Sequence, residues 1–215
     1  MSLVPDKNEV VVLIHGLWLS GWSLAGLARG LERRGFDTRR FCYPSMRADL
    51  RQNADRLDAY LRAIEAPAVH LVGHSLGGVL IRALFHHHPA QHPGRIVTVA
   101  SPHHGSQAAR RLARWGWGRR LLGRGAGVLL TPETAHWPLP AREIGTVSGS
   151  LGLGLGRLIA PDLPRPNDGV LALAETQLAG SRDRVVLAVS HTGMLLSARV
   201  VRALCEFLRH GRFRP

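Results

Sequence analysis

The chain has 215 residues, 45% of them hydrophobic and 20% charged, which suits one globular domain with a full core. This composition, with only two cysteines, excludes a disordered chain, a collagen-like repeat and a disulfide scaffold. The formal net charge of +13 raises the question of nucleic-acid binding. Every basic residue except Lys7 is an arginine, however, and no run of arginines is longer than two, so we predict no nucleic-acid partner.

The cysteines and the N-terminus indicate the compartment. Cys42 and Cys205 lie in separate apolar segments without metal-ligand spacing, which predicts two buried, reduced thiols. The stretch from Met1 to Glu9 is polar and lacks the basic start and long apolar run of a signal peptide. No apolar run elsewhere reaches the ~18 residues of a membrane span. We therefore expect a soluble, cytoplasmic protein.

Short apolar runs alternate with segments of helical period along the chain. Six runs are predicted strands: 10–14, 36–43, 68–72, 96–100, 144–147 and 185–189. Four segments with apolar residues at helical spacing are predicted helices: 24–31, 50–64, 79–85 and 200–208. This alternation predicts an α/β fold with right-handed crossovers and a mostly parallel sheet of about six strands, covered by helices on both faces.

Two segments interrupt the alternation within what we predict to be a single domain, 1–215. The first, 106–140, is rich in Arg, Gly and Trp and is interpreted as a cap-like insertion. Three interpretations of it remain open: a cap that excludes water, a basic aromatic patch on an anionic lipid surface, or an ordinary packed insertion. The second, 151–167, contains a Leu-Gly alternation and three prolines, and is predicted to be a loop that packs close to the site.

The strongest chemical signal is the sequence G-H-S-L-G at 73–77. It lies between the buried run that ends at Val72 and a helix that begins near Leu76, which is the context that a nucleophilic serine requires. A sharp strand-to-helix turn would raise the Ser75 hydroxyl above the sheet edge, and the glycines leave room where a Cβ would clash. The Leu76 N–H, at the helix N-terminus, would point at a developing oxyanion.

With this motif in this context, the chain resembles the α/β-hydrolase family, specifically its esterase and lipase branch, over 10–107 and 167–195. The His15-Gly16-Leu17 sequence directly after the first strand is similar to the oxyanion loop of that family. The resemblance implies that Leu17 N–H is the second oxyanion donor and that His15 has a structural role. The sequence S-P-H-H-G-S at 101–106 is similar to a turn that shapes the pocket wall in lipases.

In this fold the acid and the base follow the serine in the chain order Ser, Asp, His. His191 follows the last predicted strand, on the same sheet edge as Ser75, and is therefore the candidate general base. Asp168 lies in an Asn-Asp-Gly turn similar to the one that carries the acid in many lipases, and would hold the Nδ1 proton of His191. Its competitors are Asp162, Glu175 and Asp183.

Other histidines and tryptophans are considered for the pocket and for a metal. Candidate pocket residues are Trp18, Trp22, His74 and His104, although each tryptophan could equally belong to the core. The run 86–88 consists of three histidines, with His92 nearby. Because the run lies at a predicted helix end without a carboxylate or cysteine beside it, we predict no metal site.

These patterns and the family resemblance together predict a serine hydrolase that cleaves a small-molecule acyl ester or a lipid through an acyl-enzyme, with no metal or organic cofactor. Thioester hydrolysis, amide hydrolysis and acyl transfer on the same triad are alternatives, because one scaffold hosts all of them. A more remote alternative is a non-catalytic binding protein of the same fold. Aspartate-nucleophile chemistry is excluded because position 75 is serine.

Overall fold

The computed structural model of the chain describes residues 9–131, 133–154 and 156–214, which build a sheet of six parallel strands. Met1–Asn8, Pro132 and Leu155, which belong to segments discussed above, lie outside these ranges. The strands are β1 (Glu9–Ile14), β2 (Asp37–Phe41), β3 (Ala68–His74), β4 (Ile96–Val99), β5 (Ile144–Gly149) and β6 (Asp183–Leu187). Their order across the sheet is β2-β1-β3-β4-β5-β6, and every neighbouring pair is parallel. The predicted fold class and strand number are confirmed.

The helices connect and cover the strands. In the described ranges they are α1 (Ala25–Glu32), α2 (Leu50–Arg62), α3 (Leu76–His87), α4 (Gln107–Leu112), α5 (Gly116–Leu122), α6 (Gly156–Ile159), α7 (Leu173–Thr176) and α8 (Ala198–His210). Short 3-10 turns occupy Gly21–Leu24, Gly127–Leu129, Glu133–His136 and Gly193–Leu196. Among the described residues, none of these helices has the length and apolar character needed to cross a membrane.

The side-chain alternation within β1 determines which helices cover each face of the sheet. Val11 and Leu13 point to one face, where they join a core cluster with residues of α1 and α8. Val10, Val12 and Ile14 point to the other face and join a second cluster with α2 and α3. All five side chains are buried. A strand that is buried on both faces is continuously apolar, which is why this run shows no polar alternation.

Helix α3 begins at Leu76, as the serine motif predicts, and the apolar run 79–85 marks its later part. One detail differs from the sequence prediction. The prediction of two buried thiols is wrong for Cys42, which follows the end of β2 and is exposed, whereas Cys205 on α8 is buried. Both cysteines are free.

The 106–140 segment packs against the body of the protein through α4, α5 and the turn Gly127–Leu129. Leu112, Leu122 and Leu129 form a small core cluster with Leu76 and Val79 at the start of α3. Three of its arginines form ion pairs with carboxylates elsewhere in the chain, namely Arg110 with Glu175, Arg111 with Asp162 and Arg124 with Asp49. The segment is therefore held beside the carboxyl edge of the sheet by both apolar and ionic contacts.

Candidate active site

The serine turn joins β3 to α3. Ser75 has φ +55° and ψ −123°, and its N–H donates to Val99 O at 2.8 Å. A positive φ at a residue with a Cβ costs on the order of 1–3 kcal/mol, so the surrounding structure must hold it there. A Cβ on Gly73 would lie 2.5 Å from Gly78 N, and one on Gly78 would overlap the Ser101 side chain. The turn can therefore form only because glycine occupies both positions.

The loop after β6 brings His191 to a carboxylate. His191 Nδ1 lies 2.8 Å from Asp168 Oδ2, and the His191 N–H donates to Asp168 O at 2.8 Å. The second carboxylate oxygen, Oδ1, accepts the N–H groups of Val170 at 2.9 Å and Leu171 at 2.7 Å. Burial by itself would raise the pKa of Asp168, but the attraction to His191 and these hydrogen bonds outweigh it, so the pKa lies below its ordinary value.

The three competing carboxylates have other partners. Each is held by groups outside the neighbourhood of His191: Asp162 by the Arg111 guanidinium, Glu175 by the N–H groups of Gln107 and Ala172, and Asp183 by those of Arg184 and Phe213. Of the four acidic candidates, the structure thus brings only Asp168 to the imidazole.

The loop after β1 lies against the serine turn. A Cβ on Gly16 would lie 2.9 Å from Ser75 Cβ, so glycine allows the two segments to approach. His15 is buried; its Nδ1 lies 2.8 Å from Gly16 O, and its Nε2 lies 3.3 Å from the N–H of Tyr43. These contacts fit a neutral imidazole that donates from Nδ1 and accepts at Nε2, so His15 holds the loop. The Tyr43 hydroxyl also donates to His15 O at 2.9 Å.

The backbone N–H groups of Leu17 and Leu76 belong to the two segments that meet at Gly16 and Ser75, namely the loop after β1 and the start of α3. In the described ranges, neither N–H has a hydrogen-bond acceptor, and that of Leu76 belongs to the first residue of α3, where no intrahelical acceptor exists. Free N–H groups beside a serine hydroxyl are the donors that an oxyanion requires. Tyr43, which orders the loop, was missed by sequence reasoning; the adjacency of β1 and β2 could have indicated it, because Ile14 pairs with Phe41.

An apolar cavity of about 340 Å³ opens beside the serine. Ser75, His74, His191 and Trp18 contribute to its wall. The remaining wall is largely apolar and comes mainly from segments whose role the sequence left open: Leu112, Leu122 and Leu129 from the insertion, and Leu153, Gly154, Gly156 and Ile159 from the loop after β5. Ser75 and His191 line the same space, although no direct hydrogen bond joins Ser75 Oγ to the imidazole among the described contacts.

Two predicted pocket residues lie elsewhere. Trp22 is 77% exposed, with the Arg40 guanidinium 4.9 Å from the centre of its ring, and does not line the cavity. His104 is exposed at the surface, because the preceding residue, His103, takes the buried position of that turn. A second cavity of about 460 Å³ lies beside Leu153 and contains none of the three candidate catalytic residues.

His74 contacts His191. Its Nε2 lies 3.1 Å from His191 O, and the two ring centroids are 4.9 Å apart. His74 is buried, and burial lowers its pKa to about 3, so the ring is neutral and Nε2–H donates to the carbonyl. This hydrogen bond ties the backbone of the His191 loop to the residue that precedes Ser75.

Trp18 joins the loop after β1 to the insertion. It has φ +61°, a conformation that is strained for a bulky residue, and its indole Nε1–H donates to Leu121 O at 2.7 Å. Leu121 belongs to α5, 103 positions further along the chain. Trp18, which directly follows Leu17, is therefore held by the carbonyl of Leu121 in the insertion.

Two histidines of the run 86–88 contact side chains elsewhere in the chain. His86 stacks on Trp137 with centroids 4.7 Å apart, and His88 Nε2 lies 2.7 Å from Asp55 Oδ1. Within the described part of the chain, no group of three or more His, Cys, Asp or Glu side chains is arranged to hold a metal ion.

Four buried histidines predict that stability decreases in mild acid. Burial lowers the pKa of His15, His70, His74 and His103 from 6.5, to about 3 for the last two. Below pH 6.5 the unfolded chain therefore binds protons that the folded chain does not, and stability falls as the pH falls towards 3. For His74 and His103 we expect a loss of about 2 kcal/mol each between pH 7 and pH 5.

Urea unfolding at pH 7 and at pH 5 measures this loss, and two neighbouring variants assign it. His103→Asn should reduce the pH dependence of the unfolding free energy, because a titrating group is removed from the core. His104→Asn replaces the exposed neighbour and should leave the pH dependence unchanged. Equal stability of the wild type at the two pH values would contradict the expectation.

The comparisons with known proteins establish the family. The sequence model described as the alpha/beta hydrolase family matches residues 11–151, which is more than half of the chain. The protein therefore belongs to the α/β-hydrolase family. The comparison with curated protein sequences gave no match.

Solved structures share the fold over almost the whole chain. The metagenomic carboxyl esterase MGS0156 is 16% identical, with a TM-score of 0.72 over 96% of this chain and 77% of that chain. The carboxylesterase CesB from Bacillus subtilis is 13% identical, with a TM-score of 0.61 over 96% and 85%. The RedJ thioesterase of the prodiginine pathway in Streptomyces coelicolor is 14% identical, with a TM-score of 0.60 over 95% and 88%. At these identities the likeness shows the fold alone.

Proposed function

We propose that the protein is a serine hydrolase that cleaves carboxylic esters of apolar acyl groups through an acyl-enzyme. The observation that carries the proposal is the 2.8 Å contact between His191 Nδ1 and Asp168 Oδ2, made beside an apolar cavity that Ser75 also lines. A serine at a strained strand-to-helix turn, an imidazole and a buried carboxylate are the groups that nucleophilic acyl transfer requires. The esterases among the structural neighbours support the same reaction class.

In the acylation half, Ser75 Oγ attacks the ester carbonyl carbon as His191 Nε2 takes the hydroxyl proton. The carbonyl π electrons move to the oxygen, and the resulting oxyanion accepts hydrogen bonds from the N–H groups of Leu17 and Leu76. Asp168, ionised because its pKa is lowered, stabilises the imidazolium and keeps its Nδ1–H in place. The oxyanion then reforms the carbonyl, the bond to the alcohol oxygen breaks, and the leaving alkoxide takes the proton from Nε2.

In the deacylation half, water replaces the alcohol. His191 Nε2 removes a proton from water while the water oxygen attacks the acyl carbon, and the same two N–H groups stabilise the second oxyanion. Collapse of this intermediate returns the proton to Ser75 Oγ and releases the carboxylic acid. Catalysis by these groups needs no redox change and no change in the net proton count of the enzyme.

The cavity supports an apolar acyl group. Its lining consists mainly of leucine, alanine and glycine, and no Asp, Glu, Lys or Arg side chain lines it in the described part of the chain. A charged acyl group would lose its hydration there without a compensating partner, which costs several kcal/mol. Uncharged aliphatic or aromatic acyl groups are therefore the expected substrates.

Hydrolysis of p-nitrophenyl esters from acetate to palmitate tests the proposal. We expect turnover, together with covalent labelling by a fluorophosphonate at the peptide that contains Ser75. Label found on a different serine, or turnover that an excess of fluorophosphonate leaves intact, would contradict the assignment.

Thioester hydrolysis is the second candidate, because thioesterases occur among the neighbours of the fold and the same groups would cleave a thioester. Acyl-coenzyme A and p-nitrophenyl esters of one chain length discriminate between the two. A higher kcat/KM for the p-nitrophenyl ester supports the esterase, and a large preference for the acyl-coenzyme A supports the thioesterase.

The insertion is predicted to set the acyl-chain preference. Leu122 lines the cavity, whereas Leu121, the next residue, is exposed. Leu122→Ala lengthens the available space, so we expect kcat/KM for long chains to rise about tenfold relative to short chains. Leu121→Ala is the matched control and should leave the chain-length profile unchanged. Thermal unfolding of both variants shows whether each remains folded, and identical profiles in two folded variants would contradict the prediction.

A further inference from the structure

A patch of exposed apolar side chains lies on the outer face of the insertion. Trp115 and Trp117 stack with ring centroids 5.2 Å apart and are 48% and 59% exposed. Trp117 and Leu121 are one helical turn apart on α5, so they share a face of the helix. Leu121 in turn is hydrogen-bonded through its carbonyl to the indole of Trp18, which is half exposed and lines the cavity. We call these four residues the tryptophan patch; it reaches the cavity wall at Trp18.

The charge around the tryptophan patch is positive. The segment 106–131 contains six arginines and neither Asp nor Glu. Arg110, Arg111 and Arg124 are paired with carboxylates, as described above. The other three are exposed and form no ion pair with any described carboxylate: Arg114, Arg119 and Arg120. Arg114 directly precedes Trp115, and the other two lie on α5 beside the patch.

We propose that this face docks on an anionic phospholipid surface, with the tryptophan patch entering the headgroup region and the unpaired arginines contacting lipid phosphates. Tryptophan is favoured at the boundary between headgroups and acyl chains, because its ring is apolar and its N–H is polar. Arginines near an anionic leaflet add an attraction that salt weakens. Burial in the core does not account for these tryptophans, since about half of the surface of each residue remains exposed to solvent.

Sedimentation with lipid vesicles tests the proposal. The probes are vesicles of phosphatidylcholine alone and of phosphatidylcholine mixed with phosphatidylglycerol. We expect the protein to bind the mixed vesicles much more strongly, with binding that decreases as salt is raised. Trp115→Ser/Trp117→Ser should reduce the partition coefficient at least about tenfold. Arg114→Gln/Arg120→Gln should reduce it roughly 25-fold, since each arginine contributes about a factor of five.

Matched controls distinguish binding through the tryptophan patch from nonspecific binding through any exposed tryptophan or arginine. Trp22→Ser removes a tryptophan that is 77% exposed but belongs to a different segment, and Arg199→Gln/Arg202→Gln removes two exposed arginines of α8. Both controls should bind like the wild type, and thermal unfolding verifies that every variant is folded. Because binding needs no turnover, Ser75→Ala should also bind normally, so failure of the proposed esterase activity would not affect this test.

Several results would overturn the proposal. One is equal binding to both kinds of vesicle, and another is an equal loss of binding in the control variants. A third is a wild type that binds neither vesicle. A dimer in solution that Trp115→Ser/Trp117→Ser dissociates would assign the tryptophan patch to a second copy of the chain instead.

Discussion

Ser75→Ala is expected to lower kcat for p-nitrophenyl esters by about 10⁴- to 10⁶-fold, the range found when a triad nucleophile is removed. The loss is large because neither water nor His191 replaces a hydroxyl that is held at the turn between β3 and α3. The free energy of unfolding should change little, since the Ser75 side chain makes no described hydrogen bond and alanine keeps the Cβ. Steady-state kinetics and urea unfolding of the purified variant measure both quantities.

Ser106→Ala is the matched control, because Ser106 lines the same cavity. Its hydroxyl accepts the N–H of Ala109 at 3.2 Å and caps α4, so its loss should cost about 1 kcal/mol of stability. Turnover should remain close to that of the wild type. If Ser106→Ala abolished turnover and Ser75→Ala did not, the nucleophile would be assigned to the wrong serine.

Asp168→Asn is expected to lower kcat about 10⁴-fold, and the hydrogen bonds of the carboxylate give the reason. Oδ1 accepts two backbone N–H groups, from Val170 and Leu171, so the oxygen of an asparagine amide would occupy that position. The amide NH₂ would then face His191 Nδ1 and force the ring proton onto Nε2. An imidazole in that tautomer has no lone pair with which to accept the Ser75 proton. We expect kcat of Asp168→Asn to lie below that of the wild type at every pH, which measurement of kcat against pH for the two enzymes would show.

Asp162→Asn is the control for the acid. Asp162 lies in the same connecting segment, six residues earlier, but it is exposed and pairs with Arg111. Its replacement removes one surface ion pair, which contributes about 0–1 kcal/mol, and should leave kcat unchanged. A large loss of turnover in Asp162→Asn together with a normal Asp168→Asn would show that the acid comes from the other carboxylate.

The parts of the site that follow from strand order could be predicted from the sequence. Parallel strands place their carboxyl ends at one edge, so the residues after β1, β3 and β6 had to approach one another. That constraint places His15, Ser75 and His191 at one edge of the sheet, and the loop after β6 then carries His191 across β4 and β5 towards Ser75. Asp168 required an additional signal, its Asn-Asp-Gly turn, because no regular strand immediately precedes it.

The parts that depend on irregular backbone could not be predicted in the same way. The cavity wall comes from the insertion and from the loop after β5, whose paths are determined by side-chain packing and not by a periodic pattern. Trp22 and Cys42 illustrate the limit: both lie in segments that look apolar in sequence, yet Trp22 is exposed in the turn Gly21–Leu24 and Cys42 is exposed directly after β2 ends. The left-handed backbone of Trp18 likewise has no sequence signal.

The hydrogen bond between Trp18 and Leu121 limits how this scaffold can be recombined. The 106–140 segment lies in the connection between β4 and β5, so it could be exchanged as a unit with the corresponding segment of a related hydrolase. Here the incoming segment would have to present a carbonyl where Leu121 does, or the backbone next to Leu17 would lose its anchor. A chimera should therefore exchange the 106–140 segment and Trp18 together, because the two are joined by this hydrogen bond.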